Sequence, residues 1–274
     1  MELYTTTSYE LSRRLTERYS TSFSLSSSLF STDIQPHIYA IYGLVRIADE
    51  IVDTYKKSDA NSELKLLHDM VKSAIKSGYS TNPIVHAFAC TVRNYKIEPS
   101  LINSFFESMQ SDLTFNNNTT TKQYQDYIYG SAEVVGLMCL KIFTGKDDKL
   151  YAQLQKGAQA LGAAYQKINF LRDIKDDYEQ LGRVYFPGVK FETFNDDDKN
   201  EIIADIEADL KIAAPTISKL PIKARRAVAA SYNYYYRLLQ KLQKTPANTI
   251  KSRRIRLPNI EKGALLVKSR LSTK

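Results

Sequence analysis

Two short acidic runs constrain the fold of this chain more than any other feature. The first is Asp49-Glu50-Ile51-Val52-Asp53, and the second sets Asp173, Asp176 and Asp177 after Asn169. On an α-helix residues four apart stand one turn above each other, so Asp49 with Asp53, and Asn169 with Asp173 and Asp177, form two oxygen-bearing stripes. Both stripes interrupt apolar sequence, with Ile41, Leu44, Val45, Ile47, Ile51 and Val52 around the first and Ile168, Phe170, Leu171 and Ile174 around the second. Carboxylates in such frames repel one another and lose hydration, which calls for something positive between them. A single pair at this spacing is usually a solvated helix face. Two pairs in apolar frames, each beside an arginine (Arg46 before Asp49, Arg172 before Asp173), favour a ligand instead.

Ligand hardness then narrows the chemistry. Carboxylate and amide oxygens without His or Cys suit magnesium or manganese rather than zinc, and magnesium commonly shares its shell with substrate phosphates. Arginine forks fit diphosphate oxygens as well as carboxylates. The pattern predicts a phosphate-bearing ligand held between metals and guanidinium groups. Ser20 and Ser22, within the hydroxyl-rich stretch Tyr19 to Ser24, read either as a helix-terminating turn or as phosphate donors. Tyr127, Ser131 and Val135, with Gly130 and Gly136, read either as core packing or as a wall along which an apolar chain runs close to helix backbone. Arg183, just past Gly182, either bonds the last helical carbonyls or reaches phosphate. His37, His68 and His86 lack the partners of a nucleophilic triad, and no Gly-rich phosphate loop or dinucleotide fingerprint occurs.

Apolar periodicity near 3.6 residues runs through the chain, and no series of alternating strands competes with it. Helices are predicted over 9–19, 34–54, 62–76, 83–94, 99–111, 121–144, 146–181, 196–213, 221–243 and 259–271. Turn and capping signals separate them, among them Ser80 to Pro83, Glu98-Pro99, Asn116 to Asn118, Gly182, Pro215 and Pro246. The 274 residues, 43% hydrophobic and without a Pro- or Gly/Ser-rich linker, are expected to form one all-α domain over 1–274. The helix before Gly182 is apolar on more than one face, as a central helix would be. Cys90 and Cys139 read as buried, reduced thiols.

The longest uncharged apolar stretches fall short of the ~20 residues of a membrane span, and the first thirty residues do not resemble a signal peptide. A cytoplasmic protein is the expectation. Charge is uneven, however: from Lys223 onward there are fourteen Lys and Arg against one acid, Glu261. That asymmetry favours an anionic partner, either the substrate or the anionic inner face of a membrane. No nucleic-acid recognition motif accompanies the charge, so no nucleic-acid partner is expected, and no protein partner is identifiable.

Four segments carry a family resemblance: Tyr19 to Phe23, Ala40 to Asp53, Tyr127 to Gly136, and Gln166 to Asp177 with Gly182 to Pro187. In order and separation the chain resembles the squalene and phytoene synthase family, the head-to-head prenyl transferases, over nearly its whole length. The resemblance implies the all-helical isoprenoid synthase fold, with the two acidic helices facing each other across the mouth of a deep cavity. It implies that Asp49, Asp53, Asn169, Asp173 and Asp177 hold magnesium. Arg46, Arg172, Tyr42, Ser20 and Ser22 would contact diphosphate, with Gln166 in the same chamber. Tyr127, Ser131 and Val135 would line the isoprenoid cavity.

Three departures stand out. Tyr19 and Thr21 replace the His and Lys of a common His-Ser-Lys-Ser-Phe, Glu50 replaces an Asp, and Thr249 stands where some relatives carry Tyr. The chain most resembles the bacterial phytoene synthases, which implies condensation of two molecules of geranylgeranyl diphosphate without NADPH. The alternatives are squalene or dehydrosqualene formation from farnesyl diphosphate and, from another class, a helical binding or assembly protein without catalysis.

Overall fold

The computed structural model describes residues 1–55, 59–114, 120–258 and 261–263; the side chain of Ser22 lies outside the described ones, as does most of the helix expected over 259–271. Twelve α-helices and two π-helical turns make up the described residues, and no strand occurs among them. In chain order the helices are α1 (Glu2–Tyr19), α2 (Thr21–Ser27), α3 (Gln35–Asp49), α4 (Ala60–Ser77), α5 (Pro83–Tyr95), α6 (Pro99–Leu113), α7 (Thr121–Ile128), α8 (Val134–Thr144), α9 (Asp148–Leu181), α10 (Asp196–Ile217), α11 (Ile222–Gln243) and α12 (Ala247–Ser252). The π-helical turns are Glu50–Thr54, which continues α3, and Tyr129–Glu133, which joins α7 to α8.

Capping chemistry explains most boundaries. Asn82 accepts from the N–H groups of Ile84 and Val85 and, with Pro83 at the first helical position, opens α5. Thr120 and Gln123 form a reciprocal capping box at α7, as Asn195 and Asp198 do at α10. The hydroxyl stretch is more than a helix-terminating turn: Ser20 leaves helical geometry, and its side chain accepts from the Phe23 N–H at 3.3 Å to start α2. Pro215, expected as a break, lies inside the last turn of α10. There its missing N–H costs one hydrogen bond near the helix end rather than a mid-helix kink.

Two hydrophobic clusters share the molecule. One gathers α3 to α6 with α8, and includes Ile38, Ile41, Leu44, Phe88, Phe105 and Met138, each at most 1% exposed. The other gathers α7, α9, α10, α11 and α12 around Ile168, Leu171, Ile206, Leu238 and Leu242. Leu161 and Tyr232 pack against both. The central helix expected before Gly182 is α9, which packs on α8, α10, α11 and α12. On its far side from the acids, buried Lys167 pairs with Asp205 at 2.6 Å and Asp209 at 2.8 Å, tying α9 to α10.

The stretch Thr121–Thr144 is long and apolar enough, by length and composition, to cross a membrane, but 56% of its apolar window is buried inside the protein. Its glycines explain the burial. A Cβ at Gly136 would stand 2.6 Å from the carbonyl oxygen of Ala158, and one at Gly162 would stand 2.6 Å from that of Ala132, so α8 and its π-turn meet α9 backbone to backbone. Gly130 is used differently from the ligand wall expected of it: its open face meets Ser104 and Ser108 of α6. Gly162→Ala is expected to overpack this seam by ~1–3 kcal/mol. Thermal denaturation should then show a melting temperature lower by about 2–4 °C per kcal/mol.

Candidate active site

The first acidic run leaves α-helical register where its second carboxylate is placed. Asp49 closes α3, and the turn that follows is completed by the Tyr55 N–H donating to the Glu50 carbonyl at 2.9 Å, a π-type bond. Such one-residue insertions recur at functional sites. The stripe expected of Asp49 and Asp53 is therefore only partly α-helical, and Asp53 turns toward Arg183. The second run lies on unbroken α9, where Gln166, Asn169, Asp173 and Asp177 follow at three- and four-residue steps.

Gly182 ends α9 with a left-handed φ of 68°, and the Arg183 N–H donates back to the Asp177 carbonyl at 3.1 Å. That cap throws the Arg183 side chain across the cleft rather than onto the helix end. Its Nη1 lies 3.3 Å from Asp53 Oδ1 and donates to the Tyr185 hydroxyl at 3.2 Å, while Nη2 donates to the Asp112 carbonyl at 2.7 Å. Asp112, at the end of α6, is 4% exposed and accepts from the Tyr127 hydroxyl at 2.6 Å. Tyr185 stacks on Phe170 at 3.9 Å and on Tyr127 at 5.5 Å, which stiffens the support behind Arg183.

The two runs lie close enough to act on each other's charge. Burial pushes the Asp177 carboxyl up to about 8, with the charges of Asp173 and, from the other run, Asp53 adding to it. Asp49 is pushed up to about 7, first by burial and then by Asp53. It keeps 33% of its side-chain surface open to the cleft, so water tempers the size of that shift and leaves its direction. Asp53 is raised by burial against the pull of Arg183, and buried Asp112 rises to about 6 in the same way. The arginines do not cancel this repulsion. Arg46 bonds Glu50, lies 3.9 Å from Asp49 and stacks over the Tyr19 ring at 4.4 Å. Arg172 is committed to Asp173, with Nε to Oδ1 at 2.8 Å and Nη2 to Oδ2 at 2.5 Å.

Beneath the acids lies a cavity of about 270 Å³. Tyr42, Ser131, Val135 and Gln166 line it, joined by Phe23, Ser26, Phe30, Phe143 and Leu161. Tyr127, expected in that wall, is not among the lining residues; its hydroxyl is drawn to Asp112 and its ring to Tyr185. Ser20 is occupied in capping α2 and in bonding Tyr42, and the Ser22 side chain lies outside the described ones. The histidines have the structural roles expected of them: His37 bonds Tyr9 and Thr91, His86 bonds Thr5, and His68 bonds Asn103. Sequence reasoning missed Asp112, the role of Tyr185, and Arg254. A lone acid at a helix end carries no spacing signal, Tyr185 stood in the Gly182 to Pro187 segment with no role assigned to it, and Arg254 was merged into the basic run.

The donor set fits a hard cation. Asn169 Oδ1 is buried without a hydrogen-bond partner, and Asp49, Asp53 and Asp177 carry carboxylate oxygens whose ionised forms are held at a cost. No three His, Cys, Asp or Glu side chains among the described residues group closely enough to hold an ion by themselves. Such a set would fit ions that complete their coordination with phosphate oxygens.

Residues 16–261 match the squalene/phytoene synthase family model. The chain belongs to that family. It is 28% identical over 206 residues to a 4,4'-diapophytoene synthase of Staphylococcus haemolyticus, covering 73% of this chain and 70% of that protein. It is 29% identical to a phytoene synthase of Arthrospira platensis, covering 69% of this chain and 63% of the relative, and 29% identical to a 15-cis-phytoene synthase of Synechocystis, covering 68% and 58%. Against the latter two the chain thus spans less than two thirds of the relative's length. Among solved structures, a dehydrosqualene synthase in complex with ligand superposes with a TM-score of 0.84 at 20% identity, covering 97% of this chain and 96% of that one. A squalene synthase from Alicyclobacillus acidocaldarius superposes with a TM-score of 0.76 at 21% identity, covering 88% and 95%. These likenesses establish the isoprenoid synthase fold.

The raised carboxyls make a prediction independent of activity. Asp177 holds a proton to about 8 in the folded protein and to near 4 when unfolded, so the native state binds more protons and its stability falls as pH rises through that window. Asp177→Asn keeps the shape and removes the charge. Without metal it should melt at least ~2 °C above the wild type at pH 8, with the gap closing toward pH 5. No gap at pH 8 would mean that the carboxylates do not repel.

Proposed function

We propose that this family member condenses two molecules of geranylgeranyl diphosphate head to head into phytoene through a cyclopropylcarbinyl diphosphate, releasing diphosphate. The observation that carries the reading is the cluster of mutually repelling carboxylates from two helices, set over an apolar cavity. The reaction needs the same juxtaposition: an anion leaves at one end of a substrate whose remainder is greasy.

Asp49, Asp53, Asn169, Asp173 and Asp177 would hold magnesium, or manganese in its place, and the ions would supply Lewis-acid neutralisation of the departing diphosphate. Arg46 and Arg172 border the same space and would orient diphosphate oxygens. Gln166, Ser131 and Val135 line the chamber that receives the prenyl chains. The ring of Tyr42, stacked on Phe23 at 4.6 Å and lining the cavity, presents a π-face suited to stabilising an allylic cation. Walls of Phe, Leu, Val and Ile keep water from that cation. Phytoene formation involves no reduction, so no NADPH is invoked.

Small Ser26 in the wall, backed by fully buried Ser27, supports room for a C20 chain. A second reading, dehydrosqualene formation from two farnesyl diphosphates, is favoured by the diapophytoene synthase relative and by the modest cavity. Purified protein should be incubated with magnesium and either C15 or C20 diphosphate, with and without NADPH, and the hydrocarbons analysed. C40 product without NADPH is the expected result; C30 product alone would establish the second reading. Asp49→Ala and Asp173→Ala should each slow magnesium-dependent diphosphate release by about 10²–10³. Unchanged release would leave a binding or assembly role.

Lipid-like substrate and product, together with the basic segment from Lys223 onward, support peripheral contact with an anionic membrane on its cytoplasmic side. Several of those cations work internally: Lys241 and Lys251 bond the carbonyls of Arg256 and Glu192, and Arg237 pairs with Glu261. Arg253 and Arg256 remain exposed. Co-sedimentation with phosphatidylglycerol vesicles at low salt, lost at high salt, is expected; none at low salt would remove this part of the reading.

A further inference from the structure

Asp173 differs from the other acids of the site in having both carboxylate oxygens saturated. Arg172 supplies Nε to Oδ1 and Nη2 to Oδ2, and Arg254 supplies a second, parallel fork, with Nε 2.8 Å from Oδ1 and Nη2 3.1 Å from Oδ2. A cation cannot take Asp173 as a ligand while both forks are in place. The two arginines are not equivalent. Arg172 lies on α9 beside its partner with 16% of its side chain exposed, whereas Arg254 comes from 81 residues away and keeps 37% exposed.

The backbone that carries Arg254 is well anchored. It leaves α12 in extended geometry, with Ile255 and Leu257 buried at 5% and 3% in the core beneath α9, and Lys241 Nζ donating to the Arg256 carbonyl at 2.8 Å. A fixed backbone with a half-exposed guanidinium at the rim of an anion site suits a group that changes partner without moving its segment.

We propose that Arg254 is an exchangeable diphosphate-binding residue. While no cation engages Asp173, the Arg254 fork holds its carboxylate; when metal-diphosphate binds, Asp173 turns to the cation and the freed fork passes to diphosphate oxygens. This rests on the reading of the cleft as a magnesium-diphosphate site and adds to it a charge contributed by the C-terminal segment. The exchange keeps Asp173 neutralised in both states. It also couples metal capture to diphosphate binding, because either one alone leaves a charge unpaired.

Binding, rather than turnover, tests the exchange. Full-length wild type, Arg254→Gln, Arg254→Lys and, as a surface control, Arg253→Gln are titrated with manganese alone and then with inorganic pyrophosphate in the presence of magnesium, using calorimetry. Arg254→Gln is expected to bind manganese alone about threefold tighter, since Asp173 is released, and pyrophosphate about tenfold more weakly. Arg254→Lys should recover part of the pyrophosphate affinity, and Arg253→Gln should match the wild type. If Arg254 is only a strap on the C-terminal segment, Arg254→Gln lowers the melting temperature and leaves both affinities unchanged, or lowers both; either result overturns the proposal. Wild-type protein that binds neither manganese nor pyrophosphate would instead sink the reading of the cleft itself.

Discussion

Carboxylates from two distant helices are held near enough to raise one another's proton affinity, and the rest of the molecule is arranged to withstand that repulsion. Asp53 and Asp177 belong to different runs, yet each contributes to an environment in which the ionised form is disfavoured. Nothing within the acidic faces favours such an approach. The force that imposes it is burial on the opposite face of α9, where Ile168 and Leu171 are fully enclosed and Ile174 is 2% exposed. Each such side chain contributes about 1.5–3 kcal/mol. The Lys167 pairs with Asp205 and Asp209 then fix the axial position of α9 on α10. The glycine contacts at Gly136 and Gly162 bring α8 within backbone distance of the same helix. A site destabilised by its own charge thus sits on a helix that the core does not allow to move.

The arginines divide according to how strongly the fold already engages them. Arg183 is bonded to Asp112, Asp53 and Tyr185 and braced by stacked rings, so its position belongs to the scaffold. Arg172 is committed to its sequence neighbour. Neither supplies enough positive charge to bring Asp49 and Asp177 back to the ordinary carboxylate range. On the proposed reading, hard cations with phosphate oxygens in their shells would meet the remaining demand. The cavity underneath would then meet the other half of the requirement, because a dry apolar wall gives a carbocation no water to react with.

Much of this was legible in the sequence because its signals are local. The acidic spacing, the flanking apolar residues and Gly182 mark helix faces and ends, and α9 forms over almost the expected span. What escaped depends on contacts between distant residues or on one extra residue in a turn. The π-helical turns Glu50–Thr54 and Tyr129–Glu133 have no composition of their own, so both were read as continuous α-helix. Tyr127 has the look of a cavity aromatic, but a buried acid 15 residues away captures its hydroxyl. Asp112 could be recognised only with Arg183 beside it.

Two departures from the family pattern look independent along the chain and are one interaction in space. The Tyr19 ring lies under the Arg46 guanidinium at 4.4 Å, and the carboxylate of Glu50 is bonded by both Arg46 and Tyr19. Glu50 is one methylene longer than the aspartate common in relatives, and that reach lets it meet Arg46 one helical turn away. The tyrosine supplies a flat face and a hydroxyl to the same pair. Together they clamp Arg46 with its Nη1 3.9 Å from Asp49. Tyr19 and Glu50 therefore act on Arg46 as one unit rather than as two separate substitutions. Position-by-position comparison misses such a link, because the physical unit is the triad and not any one of its residues.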